Sequence, residues 1–366
     1  MNQYWIWFSN LQEVSPSSKL RLVAKFRDAR AIYDAHDSDY QAVGLSDRER
    51  RELGKKSLRD VERILKICAR EKIQIITIDD PIYPQLLREI ANPPYVLYVR
   101  GTFPDIDNRF TFGVVGTRKA DQSGIEIAYR MAGELTRSGA YIISGMAEGI
   151  DGAANTGALD AGGETLAVLG CGVDVCYPVF HERLMAQIVE HGAVVSEFPP
   201  GTPPLPGNFP VRNRMISGLS RGILVVEAPE KSGAQITAGF AHQQNRDLFV
   251  VPGNIDSYLY RGSNRLLKDG AKLVLGVEDI LEEYRTRYPE LMQAEERQSN
   301  RIPWSELSDD EKQVLHTIGY GELTADEIVQ KSELEAQVVL SALTMLELQG
   351  IISQNAGRRF QLVQGF

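Results

Sequence analysis

Two glycine loops, each set directly after a strand-like run and before a helix-like one, constrain this chain more than any other feature. Phe110–Val115 runs into Gly116-Thr117-Arg118, and Tyr141–Ser144 runs into Gly145-Met146-Ala147-Glu148-Gly149-Ile150-Asp151-Gly152. A helix-period segment joins the two, which makes one βαβ unit and demands a parallel strand pair. The first N–H groups of a helix have no partner inside it, so such loops can receive an anion. Arg118 and Lys119 add positive charge to the first loop. The unit therefore reads as a phosphate-binding edge.

The same alternation continues. Strand-like runs at Thr165–Leu169, Val194–Phe198, Ile223–Glu227, Leu248–Val251 and Lys272–Leu275 are mostly followed by Gly or Pro and a helix-period segment. They are apolar on both faces, as a sheet covered by helices on both sides requires. The expectation is an α/β, doubly wound, mostly parallel Rossmann-like sheet over 71–285, with ligands at the strand carboxyl ends. Ile73–Ile78 and Tyr95–Val99, separated by a proline-punctuated short helix, are expected to extend that sheet. Residues 1–70 read as helical, with Ser46 preceding a helix start. A SAM or helix-hairpin-helix-like module and a generic helical bundle are equal readings there. Residues 286–301 are polar and aperiodic, as a linker is. Residues 302–366 read as three helices and two short strands around Asn355-Ala356-Gly357, with capping boxes at Ser308–Glu311 and Thr324–Glu327; this is a winged-helix pattern.

Bulk properties narrow the function classes. The net charge of −9 over 366 residues argues against a protein coated in positive charge for nucleic acid, though not against a local basic groove. The start, MNQYWIWFSN, has neither a basic leader nor a long apolar run, and no stretch is long enough to span a membrane. The three cysteines, Cys68, Cys171 and Cys176, make no disulfide framework, and a cytoplasmic location is expected. Cys171, Cys176 and His181 are too widely spaced for a zinc site, so buried thiols are favoured over metal.

The cations cluster at the loops. Arg118, Lys119, Arg212, Arg214 and Lys231 all fall at strand carboxyl ends or just beyond, where guanidinium forks suit phosphates. Phe209 stands just before Pro210-Val211-Arg212-Asn213-Arg214 and is a candidate for stacking a base. The competing reading makes Arg212 and Arg214 structural ion pairs with Glu197 and Glu227. Asp151 reads as a helix N-cap rather than an acid or base, since no nucleophile or metal set accompanies it. Met146 and Met215 read as core.

The ordered motifs VGTR, SGMAEGID, YP, SEFPPGTPP, FPVRNRMISGLS, VVEA with SGAQITA, VPGNI and GSNRLLKDGA resemble the DNA-processing protein A (DprA/Smf) family over about residues 70–285. One departure is Asn155, where the family commonly has His after the Gly-Ile-Asp loop; Asn keeps hydrogen-bonding capacity but not a titratable charge. The resemblance implies a non-enzymatic recombination mediator. Such a protein binds and protects single-stranded DNA in natural transformation, helps load the RecA recombinase and acts as a homodimer, with no cofactor and no metal. The DNA-binding residues it implies are Gly116, Arg118, Lys119, Ser144, Gly145, Phe209, Arg212, Asn213, Arg214, Lys231, Ser232, Gly233 and Gln235. The alternative is a nucleotide-processing enzyme of the lysine-decarboxylase-like phosphoribohydrolase type. Here, however, Ser232–Thr237 is followed by Ala238-Gly239-Phe240, with no glutamate in the next turn. A dinucleotide enzyme fits less well, since GxGxxG and a ribose-binding acid are both missing. Apolar Ile255, Tyr258, Leu259 and Tyr260, in a loop otherwise expected to be polar, support a dimer through the Rossmann-like domain. From residue 302 ten acids oppose four bases, a balance of −6, and the third helix holds no Lys or Arg, so this winged helix is expected not to read duplex DNA.

Overall fold

In the computed structural model the described residues are 2–288, 291, 307–319, 321–332, 334–349, 351–355 and 357–362. They form two compact units, divided between Tyr288 and Pro289. Most of the stretch expected as a linker, 286–301, and the first residues of the expected 302–366 domain lie outside the described residues.

The larger unit is built on a nine-stranded sheet. Its strands are β1 (Gln74–Thr77), β2 (Val96–Gly101), β3 (Thr111–Val115), β4 (Tyr141–Ser144), β5 (Thr165–Val168), β6 (Ala193–Ser196), β7 (Gly222–Val225), β8 (Asp247–Val250) and β9 (Lys272–Leu273). The order across the sheet is β1-β2-β6-β5-β4-β3-β7-β8-β9. From β6 to β9 every pairing is parallel. Every residue of β3 to β7 is buried, which explains their uninterrupted apolar runs. After β3 the chain winds toward β6, and after β7 it winds the opposite way. The carboxyl ends of β3 and β7 therefore flank the switch point, where open sheets of this kind bind ligands. At that point the Thr117 amide donates to the Glu227 carbonyl at 2.7 Å.

β1 and β2 do extend the sheet, but antiparallel: β1 pairs with β2, and Tyr98–Gly101 of β2 pair with Ser196–Ala193 of β6. The six helices between Asn2 and Arg70 share one hydrophobic core with this edge, so residue 70 is not a boundary between separately packed bodies. Trp5 anchors the junction. Its indole stacks on Tyr95 at 5.5 Å and 9°, and its Nε1 donates to Asp79 at 2.6 Å. Phe8 meets the same tyrosine edge-on at 5.0 Å. Ser46 caps the helix Asp47–Gly54 as expected, with Glu49 returning the bond to its amide at 2.9 Å.

The smaller unit has helices Asp309–Ile318, Ala325–Ser332 and Ala336–Leu348 around its own core. Both capping boxes form, with Ser308 N to Glu311 at 2.7 Å and Thr324 N to Glu327 at 2.7 Å. A short strand β10 (Leu323–Thr324) joins β11 (Ile352–Gln354) and β12 (Arg359–Leu362) in the order β10-β12-β11. The sequence pattern had indicated two strands; β10 is only two residues long and leaves no periodic signal.

Candidate nucleic-acid interface

The loops after β3, β4 and β5 and the start of the helix Asn208–Gly218 meet around Phe209. The Arg118 guanidinium lies 4.6 Å from the Phe209 ring centroid, and that of Arg212 lies 5.9 Å away. Arg118 and Lys119 are exposed and Phe209 is half-buried. Lys231 is exposed on the loop after β7, and neither it nor Lys119 has an ion-pair partner among the described residues.

The other expected cations are not at the surface. Residues 212–218 are all buried, so beyond its open first turn the helix carrying Arg212 and Arg214 is enclosed rather than amphipathic. Arg212 is 3% exposed, and its Nη1 donates to the Gly145 carbonyl at 2.8 Å and to that of Val168. A β-carbon on Gly145 would lie 2.0 Å from that nitrogen, so only glycine lets the guanidinium through. Arg214 is likewise enclosed. It is 6% exposed and makes a two-pronged ion pair with Glu197, one arm at 2.8 Å, while its Nε donates to Asn92 O at 2.8 Å. The structural alternative weighed for it, with Glu197 as partner, is what the structure contains.

Arg212 makes no ion pair with Glu197 or Glu227; the carboxylate whose charge it feels is Asp151, which lies with it against Gly145. Asp151 is buried in the first turn of the helix Ile150–Asp160, whose N-cap is Gly149, so the expected N-cap role is corrected. Burial pushes its carboxyl up, against the pull of Arg212, Arg118 and the amides of Gly116 and Gly145.

Other expected contacts serve the interior. Ser144 is fully buried and donates to Val114 O at 2.6 Å. Asn213 is 7% exposed and donates to Gly233 O at 3.1 Å. Asn155, in the place of the family's histidine, is fully buried and donates to Thr165 Oγ1 at 2.8 Å. Gly145 is buried as well, whereas Gly116, Ser232 and Gln235 are half-buried and Gly233 is exposed. Ser232 Oγ and Gln235 Nε2 are buried atoms without a partner among the described residues. Cys171 is buried and Cys176 half-buried, and no metal-binding cluster occurs among the described residues. No helix among them is long and apolar enough to cross a membrane.

At the switch point, Glu227 is fully buried and neither carboxylate oxygen has a hydrogen-bond partner among the described residues. Burial, and then the neighbouring charge of Asp121, push its carboxyl from 4.5 up to about 7; Tyr260 also lies against it. A raised carboxyl means that the folded chain holds this proton more tightly than the unfolded chain. The stabilisation is complete below about pH 4.5 and is lost as pH rises through about 7. Glu227→Gln removes the titration at constant shape. It is expected to flatten the stability profile between pH 5 and 8 and to raise stability at pH 8 by roughly 1–3 kcal/mol. Urea midpoints across that range check this, and a variant that keeps the wild-type slope assigns the slope to other groups.

Known proteins converge on one family. Residues 74–285 match the family described as DNA recombination-mediator protein A, and residues 302–358 match the DprA winged helix domain. The chain is 33% identical to Protein Smf of Synechocystis sp. over 390 residues, covering 98% of each. It is 37% identical to the DNA processing protein DprA of Bacillus subtilis over 225 residues, covering 62% of this chain and 76% of the relative. The X-ray structure of DNA processing protein A from Streptococcus pneumoniae superposes with a TM-score of 0.69 at 31% identity, over 77% of this chain and 98% of that one. DNA processing protein A from Helicobacter pylori, described for its single-stranded DNA binding mode, gives 0.53 at 28% identity, over 59% and 97%. The family match over 74–285, the winged-helix match that follows it and a relative aligned over 98% of each chain place this chain in the DprA/Smf family of DNA recombination mediators.

Proposed function

We propose that this protein binds single-stranded DNA with little base preference, and that it does so as a homodimer that hands the strand to a RecA recombinase during natural transformation in the cytoplasm. The observation that carries the reading is the Arg118–Phe209 pair, a guanidinium 4.6 Å from a ring on an open edge of the sheet. A phosphate can take the outer side of the guanidinium while a base stacks on the ring, and every base has a face to offer. Lys119 and Lys231 supply the remaining charge. Competition between oligothymidine and a duplex of equal length tests this. The single strand is expected to win, and binding to weaken as salt rises because phosphates release counterions. Equal competition by duplex would sink the reading.

Support for the dimer is a set of exposed apolar residues beyond β8 and β9. Ile255 is 81% exposed, Tyr258 60% and Leu275 76%. Leu259 is half-buried and Tyr260 buried, so these two support their loop rather than offer surface. Two sites on one strand raise the effective concentration of the second contact. Light scattering that finds only monomer at tens of micromolar would count against it.

The winged helix is read as a protein-contacting or passive appendage. Leu340 and Leu348 are exposed on the helix Ala336–Leu348, and the helix carries no Lys or Arg. Removing residues 302–366 is expected to leave single-strand affinity within about twofold, a shift of only a few tenths of a kcal/mol. Loss of DNA binding from a deletion variant of unchanged melting temperature would refute this.

A further inference from the structure

We propose that Tyr177 forms a second nucleobase subsite beside Phe209, so that consecutive bases of one strand pass from Phe209 onto the loop at 177–181. This rests on the single-strand reading above. The Tyr177 and Phe209 ring centroids are 5.4 Å apart at 40°, and Tyr177 is 36% exposed. Arg118 sits against the same phenylalanine. Cation, ring and ring are therefore contiguous, which is the pattern by which a groove tracks phosphate with charge and bases with aromatic faces.

Phe209 is held in place rather than free to cover its neighbour. It packs on Gly170, where a β-carbon would lie 2.8 Å from its Cδ1. The Tyr177 loop is equally fixed. His181 Nδ1 is 3.0 Å from Met146 O, Cys171 Sγ donates to Val175 O at 3.3 Å, and Asp174 accepts from the Gly201 amide at 2.8 Å. Yet this tied-down loop turns apolar groups outward, with Val179 68% and Phe180 67% exposed. Residues 171–181 contain no Lys or Arg, and their one acid, Asp174, is engaged with the Gly201 amide. What the loop offers is apolar and aromatic surface without charge, which suits a base and not a phosphate.

The test uses the full-length protein and fluorescence anisotropy with labelled oligothymidine. Tyr177→Ala is expected to weaken binding about fivefold to a hundredfold, the range for loss of one stacked base, with an unchanged salt slope since no cation is removed. Tyr177→Phe is expected to bind as the parent does. Equal loss in both variants would assign the effect to the hydroxyl and overturn the stacking subsite. Arg118→Ala runs beside them. If it weakens binding while Tyr177→Ala does not, the second subsite is wrong and the single-strand reading stands; if neither matters, the reading itself falls. A second arm is independent of any variant's folding. The unaltered protein is expected to bind an oligonucleotide with abasic residues at alternate positions at least fivefold more weakly than its intact counterpart, and indifference to missing bases would overturn the proposal.

Discussion

Arg214→Ala is expected to destabilise the larger unit by about 3–5 kcal/mol, the usual penalty for breaking a buried ion pair from one side. Its partner Glu197 has a side chain only 16% exposed, and Arg214's own is 7% exposed. Truncation strands a carboxylate that water reaches poorly, and it leaves the Asn92 carbonyl without its donor. The double replacement Arg214→Met with Glu197→Leu removes both charges and is expected to recover much of the loss, since apolar residues of similar volume often replace such pairs at little cost. Urea denaturation of the two singles and the double measures the coupling. If Arg214→Ala instead keeps its midpoint and loses single-strand affinity, the arginine contacts DNA and the structural assignment is wrong.

Arg118→Ala is expected to do the reverse. The residue is exposed, so stability should move by no more than about 0.5 kcal/mol. Single-strand affinity should fall by about 1.5–3 kcal/mol, the worth of a charge-assisted contact, or roughly tenfold to a hundredfold. The salt dependence should also lose a slope of about 0.7, because one fewer phosphate is neutralised. Arg118→Lys keeps the charge but not the planar fork that lies against Phe209, so it should hold the slope and recover only part of the affinity. Unchanged affinity in the alanine variant would remove this edge from consideration as the DNA site.

The contrast between these two arginines marks where sequence reading stops. The parallel strands β3 to β7 were legible because burial of both faces leaves an apolar run, mostly closed by Gly or Pro, whatever the neighbours are. The place of β2 between β1 and β6 was not legible, since an antiparallel pairing across a long loop leaves no local mark. Arg118, Arg212 and Arg214 look alike in a string of letters. Arg212 and Arg214 turn inward because residues 212–218 of their helix are all buried while its first turn stays open, a property of what packs around it. The partners were visible as residue types but assigned unevenly. Glu197 and Glu227 were named for the two arginines together; Glu197 pairs with Arg214, Glu227 with neither, and Asp151, taken as a cap, is the carboxylate whose charge Arg212 feels. Tyr177 stood in a quoted motif without a role, and only the ring geometry beside Phe209 supplies one.

The antiparallel edge also bears on how the chain is made. Helices that emerge first from a ribosome pack on β1 and β2, but β2 must wait for β6, about ninety residues later, to satisfy its outer row of peptide groups. At roughly 5–20 residues per second that wait lasts about 5–20 seconds. Throughout it, the nascent chain shows an open hydrogen-bonding edge at Tyr98–Gly101, the kind of strand that invites mispairing. A protein built in this order leans on whatever shields nascent chains, and slowing translation across the stretch before β6 should lower its soluble yield more than slowing it after β9.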